Sequence, residues 1–379
     1  MKKKLLLVIV ILAFIAGGMI SYIAVKPRLF SPAKAKEVAI LAQKSAHKTG
    51  LTTSIQPMRP TIVLQTQEVN EIIDLLRGEF LGAPELIGQE INLANLPKIL
   101  ESLGSKIKLS AIPLLSSPLS FHLELLPNNI GYCRISGFPE KEILKFSDTF
   151  SQWQKQNSIG LILDLRDFRA FDDYAGAADF AGLFIPANTL LFSIQGIKSP
   201  QKTFQTNRTP MTILKKIPLV VLIDENTRGA GEMLTYALQI HAHAILVGQP
   251  TAGETALYTS SKLKSGRYFY RATTEVTAAS GEKFLNQPLQ PEILIAADPN
   301  EQLIALQQGY QKNAAELIDE LPARKRLNEA SLIQETDTDV DEAIQQQLHP
   351  EEKKSTPHDV TLHRATDVIR GIYTLFSPY

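Results

Sequence analysis

Cysteine is almost absent from this chain: Cys133 is the only one in 379 residues, beside a single tryptophan. One thiol closes no intrachain disulfide and leaves no thiolate cluster for zinc or for redox exchange. Cys133 itself sits in the apolar run IGYCRI and reads as a buried, inert thiol. Charge of one sign is missing too, with 39 basic and 39 acidic side chains, so there is no electrostatic footing for nucleic acid and no such partner is expected. The chain has no Gly-rich phosphate loop, no His pair at i, i+4 with Glu, and no internal repeat. His241 and His243 are two apart, too close to share a helix face, and read as surface or strand-edge histidines rather than metal ligands. No cofactor and no metal is therefore expected. What is present is ordinary globular usage, 44% hydrophobic and 21% charged, enough for two domains or one large one.

The chain opens MKKK and then carries no charge from Leu5 to Val25. At 1.5 Å rise per residue that stretch just crosses a hydrocarbon core of about 30 Å. It reads as an uncleaved signal anchor over residues 1–28, in a single-pass inner or cytoplasmic membrane protein. The lysine cluster stays cytoplasmic and the C-terminal domain lies on the extracytoplasmic side. Ala16-Gly17-Gly18 offers a small-residue cleavage site, in which case the protein is secreted.

Residues 29–66, with Pro32, Pro57 and Pro60, read as a tether, and 67–118 as a small helical arm with amphipathic helices at EVNEIIDLL and from Asn95 to Leu103. From 119 to 298 apolar runs of strand length alternate with helical stretches, as in an α/β domain. The spacing predicts strands at Ile130–Ile135, Gly160–Leu165, Leu190–Ile194, Leu219–Ile223 and Ala244–Val247, then hairpin strands between Ser260 and Thr277. Helices are predicted at Glu140–Gln156, Asp172–Phe184 and Gly229–His241. A helical extension follows over 299–333, its helix running from Asn300 to about Ile318. Next come an acidic linker over 334–358, with seven acids and no Lys or Arg from Glu335 to Glu352, and a C-terminal helix over 359–379. That last helix is expected to dock on the body or on a partner, which makes a homodimer plausible.

Four segments, in order and with matching spacing, resemble the C-terminal processing or tail-specific protease family. They are IGYCRISGF (130–138), GLILDLRDFRAFDDYAGAADFAGLFIP (160–186), PLVVLIDENTRGAGEMLTYALQIHAHAILVGQPTAGET (218–255) and YRATTEVTAASGEKFLNQPLQPEILI (270–295). The resemblance implies an α/β fold: a crotonase/ClpP-like tail-specific protease core with a small N-terminal helical arm and a C-terminal helical extension. It also implies serine-type peptidase chemistry, in which a serine is activated by a lysine 25 residues further on.

Both groups are missing here. With Glu232 and Gly253 as fixed points, the nucleophile position falls on Gly229 and the lysine position on Glu254, and 254 − 229 = 25 keeps the family spacing. A family glutamine that orients the lysine falls on Tyr258. A Ser-Lys pair works because a buried lysine of lowered pKa takes the hydroxyl proton; Gly229 has no atom to attack with. Where the family has a Gly-rich turn for the oxyanion, this sequence has Asp167-Phe168-Arg169-Ala170-Phe171, and no PDZ-type module separates arm from core. Thr227, Thr251, Thr255, Ser260 and Ser261, with Lys262 and Lys264 close by, are the residues from which a shifted site would have to be drawn. Glu254 reads as a solvated turn residue, Glu232 as a helix-dipole partner, and Asp164 with Arg166 as a strand-end ion pair.

The sequence thus points to a non-catalytic homologue whose groove, lined by Gly229, Glu254, Tyr258 and Thr227, binds an extended peptide or unfolded protein by strand addition. An active serine-type endopeptidase with shifted residues and a structural envelope partner are the alternatives.

Overall fold

The computed structural model describes residue 64 and residues 66–111, 119–211, 217–296, 299–309, 313–318 and 358–376. Helices α1 (Val69–Leu76) and α2 (Leu96–Leu103) lead into β1 (Ile107–Ser110). The core then runs β2 (Phe121–Leu126), β3 (Ile130–Ile135), α3 (Glu140–Lys155), β4 (Gly160–Asp164), α4 (Tyr174–Ala181), β5 (Leu190–Gly196) and β6 (Lys202–Gln205). It continues through β7 (Leu219–Ile223), α5 (Ala230–Ala242), β8 (Ile245–Gly248), β9 (Ala256–Lys262), β10 (Tyr268–Ala278) and β11 (Ile293–Leu294). Two further helices, α6 (Pro299–Gln308) and α7 (Val360–Phe376), complete the described elements.

One sheet has the order β11-β8-β7-β4-β3-β2, with only β2 antiparallel to its neighbour. Strands β3, β4, β7 and β8 are nearly continuous apolar runs because both faces are covered, with Arg134 and Asp164 the charged exceptions, whereas the edge strand β2 is mostly half-buried. Cys133, Leu161, Leu163, Val221 and Leu246 face a cluster shared with α3, α4 and α5. Tyr132, Ile162, Val220 and Val247 face the opposite way, against Leu362, Ala365 and Ile369 of α7. Side chains alternate across the pleat, so each strand supplies both cores. Cys133 is fully buried, and desolvation pushes its thiol well up.

The second sheet is antiparallel, β1-β10-β5-β6, with β9 paired to β10 on its other side. The arm is tied to it. Strand β1 pairs Ile107–Ser110 with Tyr268–Arg271, Leu81 N–H donates to Ala272 O at 2.8 Å, and the buried Glu68 carboxylate accepts from Arg267 Nε at 2.7 Å. A strand inside the stretch read as helical is a feature that four residues, IKLS, could not announce by periodicity.

Asp164 and Arg166 do form a buried pair at 2.8 Å, but a third member extends it. Both Asp359 oxygens accept from the Arg166 guanidinium, at 2.9 and 2.7 Å, while Oδ1 also accepts Leu362 N–H at 2.9 Å as the cap of α7. The C-terminal helix is thereby fixed to the parallel sheet. The helix expected from Asn300 to Ile318 instead ends at Gln308, and a 3₁₀ turn, Ala314–Leu317, follows. Two N–H groups of that turn, Ala314 and Ala315, donate to the Glu124 carboxylate at 2.7 and 3.1 Å, replacing helical bonds.

The expected membrane location needs correction. Among the described residues no helix is long and apolar enough to cross a membrane, which overturns the single-pass reading. The signal anchor, most of the tether and the acidic linker lie outside the described residues.

Candidate functional site

The loop from β7 into α5 is built by Asp224 and Thr227. The Thr227 hydroxyl donates to Leu165 O at 3.0 Å and accepts from Asp224 N at 3.1 Å, and the Asp224 carboxylate accepts from Asn226 N at 2.9 Å. Thr227 is fully buried and its oxygen is committed to closing the turn. Gly229 follows as the N-cap of α5, with φ +56° and ψ −117°. Only glycine adopts that backbone without strain.

Phe171 explains why the position carries no side chain. Its carbonyl accepts from Ala230 N at 2.7 Å, across the start of α5. A Cβ on Gly229 would stand 2.9 Å from the Phe171 carbonyl carbon, and closer still to its oxygen. The electropositive helix start, where an oxyanion could be stabilised, is thus occupied by an internal carbonyl.

Glu232, in the first turn of α5, links the two halves of the cleft. Its Oε2 accepts from Gly229 N (3.0 Å) and Glu254 N (2.8 Å), and its Oε1 from Gly253 N (2.7 Å) and the Thr251 hydroxyl (2.6 Å). Burial, with a smaller push from the Glu254 charge, raises this carboxyl to about 7, against the pull of the Thr251 hydroxyl and the Glu254 and Gly253 N–H groups. Gly229 and Glu254 are therefore brought together, joined through one carboxylate.

Glu254 is not the solvated turn residue expected. Its carboxylate meets Lys108 Nζ of β1 at 2.5 Å and stands 3.8 Å from Arg228 Nη1, with 17% of its side chain exposed. The partner comes from 146 positions earlier, a distance at which no local pattern operates. Burial lowers the Lys108 ammonium, and the Glu254 charge opposes that. Tyr258 closes the cleft. Its ring centroid is 5.9 Å from Lys108 Nζ, its hydroxyl donates to Ser105 O at 2.7 Å, and burial pushes the phenol well up.

Thr251 is fully buried between Glu232 and Leu289 N, and the Thr255 hydroxyl is buried with no hydrogen-bond partner among the described residues. Ser260 and Ser261 lie on β9 opposite Tyr270 and Phe269. Lys262 Nζ lies 5.9 Å from the Tyr268 ring centroid, and Lys264 Nζ is 3.8 Å from Glu71. Among the described residues no cluster of His, Cys, Asp or Glu could hold a metal ion.

Against known proteins, residues 129–295 match the sequence profile of Peptidase family S41. The core is a peptidase family S41 domain. Over 138 residues the chain is 32% identical to the carboxyl-terminal-processing protease of Synechocystis sp., covering 36% of this chain and 31% of that one. Over 225 residues it is 26% identical to the carboxy-terminal processing protease CtpA of Bacillus subtilis, covering 59% and 45%. The chain spans less than half the length of these curated relatives. Among solved structures, the photosystem II D1 C-terminal processing protease superposes with a TM-score of 0.37 at 20% identity, over 52% of this chain and 54% of that one. The chain is a tail-specific, C-terminal processing protease-like protein. The residues that sequence reasoning missed are Lys108, on β1 of the arm, and Arg228 and Phe171 of the core; only the bulk at Phe171, where the family has glycines, gave a signal.

Proposed function

We propose that this S41 protein binds peptide or unfolded protein without cutting it. One observation carries the reading: the backbone at Gly229 is held in a glycine-only conformation with the Phe171 carbonyl in the space a side chain would need. No nucleophile fits there, and the position 25 residues on carries an acid already paired to Lys108. Glu232 accepts four hydrogen bonds within the fold and has no free hydroxyl partner in the cleft to activate. A sequence match to the family over residues 129–295, with glycine and glutamate where its reacting groups are expected, favours recognition over hydrolysis.

The test is to incubate the full-length protein with casein and, separately, with a fluorophosphonate probe for activated serines. The reading expects intact casein and no adduct. Cleavage that disappears on substitution of any of Thr227, Thr251, Thr255, Ser260 or Ser261 would overturn it in favour of a shifted catalytic site.

A further inference from the structure

The space at Gly229 and Glu254 is filled by the chain's own groups, but among the described residues the far edge of the antiparallel sheet is open. Strand β6 ends that sheet and, among the described residues, pairs only with β5. Its orientation is fixed just beyond its end, where Thr206 N donates to Thr189 O at 3.0 Å and Thr206 O accepts from Asn188 N at 2.7 Å. Main-chain groups alternate in direction along a strand. Phe204 and Lys202 therefore turn theirs toward β5, and Thr203 and Gln205 turn theirs outward. Those two N–H and two C=O groups form a template for another strand.

Beside that edge lies a cavity of about 470 Å³, walled by β6, by Asn207 and by one face of α4, where Ala175, Ala178 and Asp179 recur at helical spacing. The alanines leave the space, and Asp179 is turned aside by its bidentate pair with Arg208 at 2.7 and 2.6 Å. The floor is Phe204, stacked on Phe192 with centroids 5.2 Å apart.

A lysine on a short edge strand is also the usual device for refusing a neighbour. Here the Lys202 side chain lies over the Phe204 ring, with Nζ 4.9 Å from its centroid, instead of standing across the edge. Its ammonium has no carboxylate partner among the described residues, while the neighbouring Arg208 is neutralised. A cation at the groove floor complements an acidic ligand.

We propose that β6 and α4 form a docking groove for an extended acidic peptide, which adds as a further strand against Thr203 and Gln205 and places a carboxylate over Lys202. The groove is separate from the Gly229–Glu254 cleft and does not depend on whether that cleft is active.

The test uses the full-length protein and two fluorescein-labelled peptides, Thr-Val-Glu-Val-Thr and Thr-Val-Lys-Val-Thr, followed by anisotropy. The glutamate peptide is expected to bind about threefold or more tightly than the lysine peptide, and Lys202→Glu, an exposed substitution, to reverse the order. Hydrogen exchange at saturating glutamate peptide is expected to slow over 202–205 and to leave 228–232 unchanged. The proposal is overturned if neither peptide binds at millimolar concentration, if Lys202→Glu leaves the preference unaltered, or if protection appears at 228–232 instead. It is equally overturned if light scattering shows that copies pair through β6 and peptide does not compete, which assigns the edge to a second copy.

Discussion

The Phe171 carbonyl oxygen and Gly229 are locked against each other: the oxygen accepts from Ala230 N at 2.7 Å, across the point where a Cβ on Gly229 would project. The absence of a side chain at Gly229 is therefore a property of two chain segments, β4–α4 and β7–α5, and not of one residue alone.

Restoring the family residues at Gly229 and Glu254 should consequently fail. Gly229→Ser forces a side chain into positive φ at a cost of roughly 1–3 kcal/mol, to which the clash with Phe171 adds. Glu254→Lys sets an ammonium against Lys108 and Arg228. The double variant is expected to melt at a lower temperature than the natural protein and to leave casein intact. Casein cleavage by it would show that the Phe171 segment yields easily.

The Lys108–Glu254 pair should hold the arm to the core. Each single change, Lys108→Met or Glu254→Gln, leaves a mostly buried partner and is expected to cost about 2–4 kcal/mol, and the double change less than their sum. Urea unfolding of the four proteins measures the coupling. A sum that is simply additive would deny the pair any role in joining arm and core.

Stability should fall between about pH 4 and pH 7. Burial raises Glu232 from 4.5 to about 7, and burial together with the Glu225 charge raises Asp224 from 3.8 to about 7. In that window the folded protein keeps protons that the unfolded chain has released, so the slope of stability with pH is negative. Their contribution is complete below about pH 4 and gone above 7. Asp224→Asn keeps an acceptor for Asn226 N, and is expected to remove about half of the decline in melting temperature between pH 5 and pH 8.

The acid limb has the opposite sign. Burial alone would raise Asp164, but Arg166, Arg134 and the Tyr132 hydroxyl hold it at about 2. Its folded value is depressed, so its contribution is present above 3.8 and lost as pH falls through about 2.

Removing the Asp359 carboxylate should release α7. Asp359→Ala takes one of two carboxylates from the fully buried Arg166, leaving it with Asp164 alone, and uncaps the helix. A loss of about 3–5 kcal/mol is expected. Hydrogen exchange should quicken first over 360–376; unchanged exchange there would mean that Leu362, Ala365 and Ile369 hold the helix by themselves.

The strands IGYCRI, GLILD and LVVLI were legible because burial on both faces leaves runs that are mostly apolar, Arg134 and Asp164 excepted, helices α3 and α7 because their apolar positions recur on one face, and α5 because it is an unbroken buried stretch of helix length. Strands β1 and β6 were not legible. Four residues carry no period, and their membership depends on which strand lies alongside. The break after Gln308 was missed because the Glu124 carboxylate that replaces the helical bonds comes from the far side of the sheet.

By itself the sequence determined that an α/β core resembling this protease family is present, and its spacing set the expectation that the reacting positions fall on Gly229 and Glu254, since fold pattern and residue identity are written locally. Only the tertiary structure decided what those positions have become. Lys108 arrives on a strand of the arm to neutralise Glu254, and the Phe171 carbonyl occupies the space above Gly229. Charge pairing and steric exclusion act through space, between residues whose separation along the chain carries no record of their meeting.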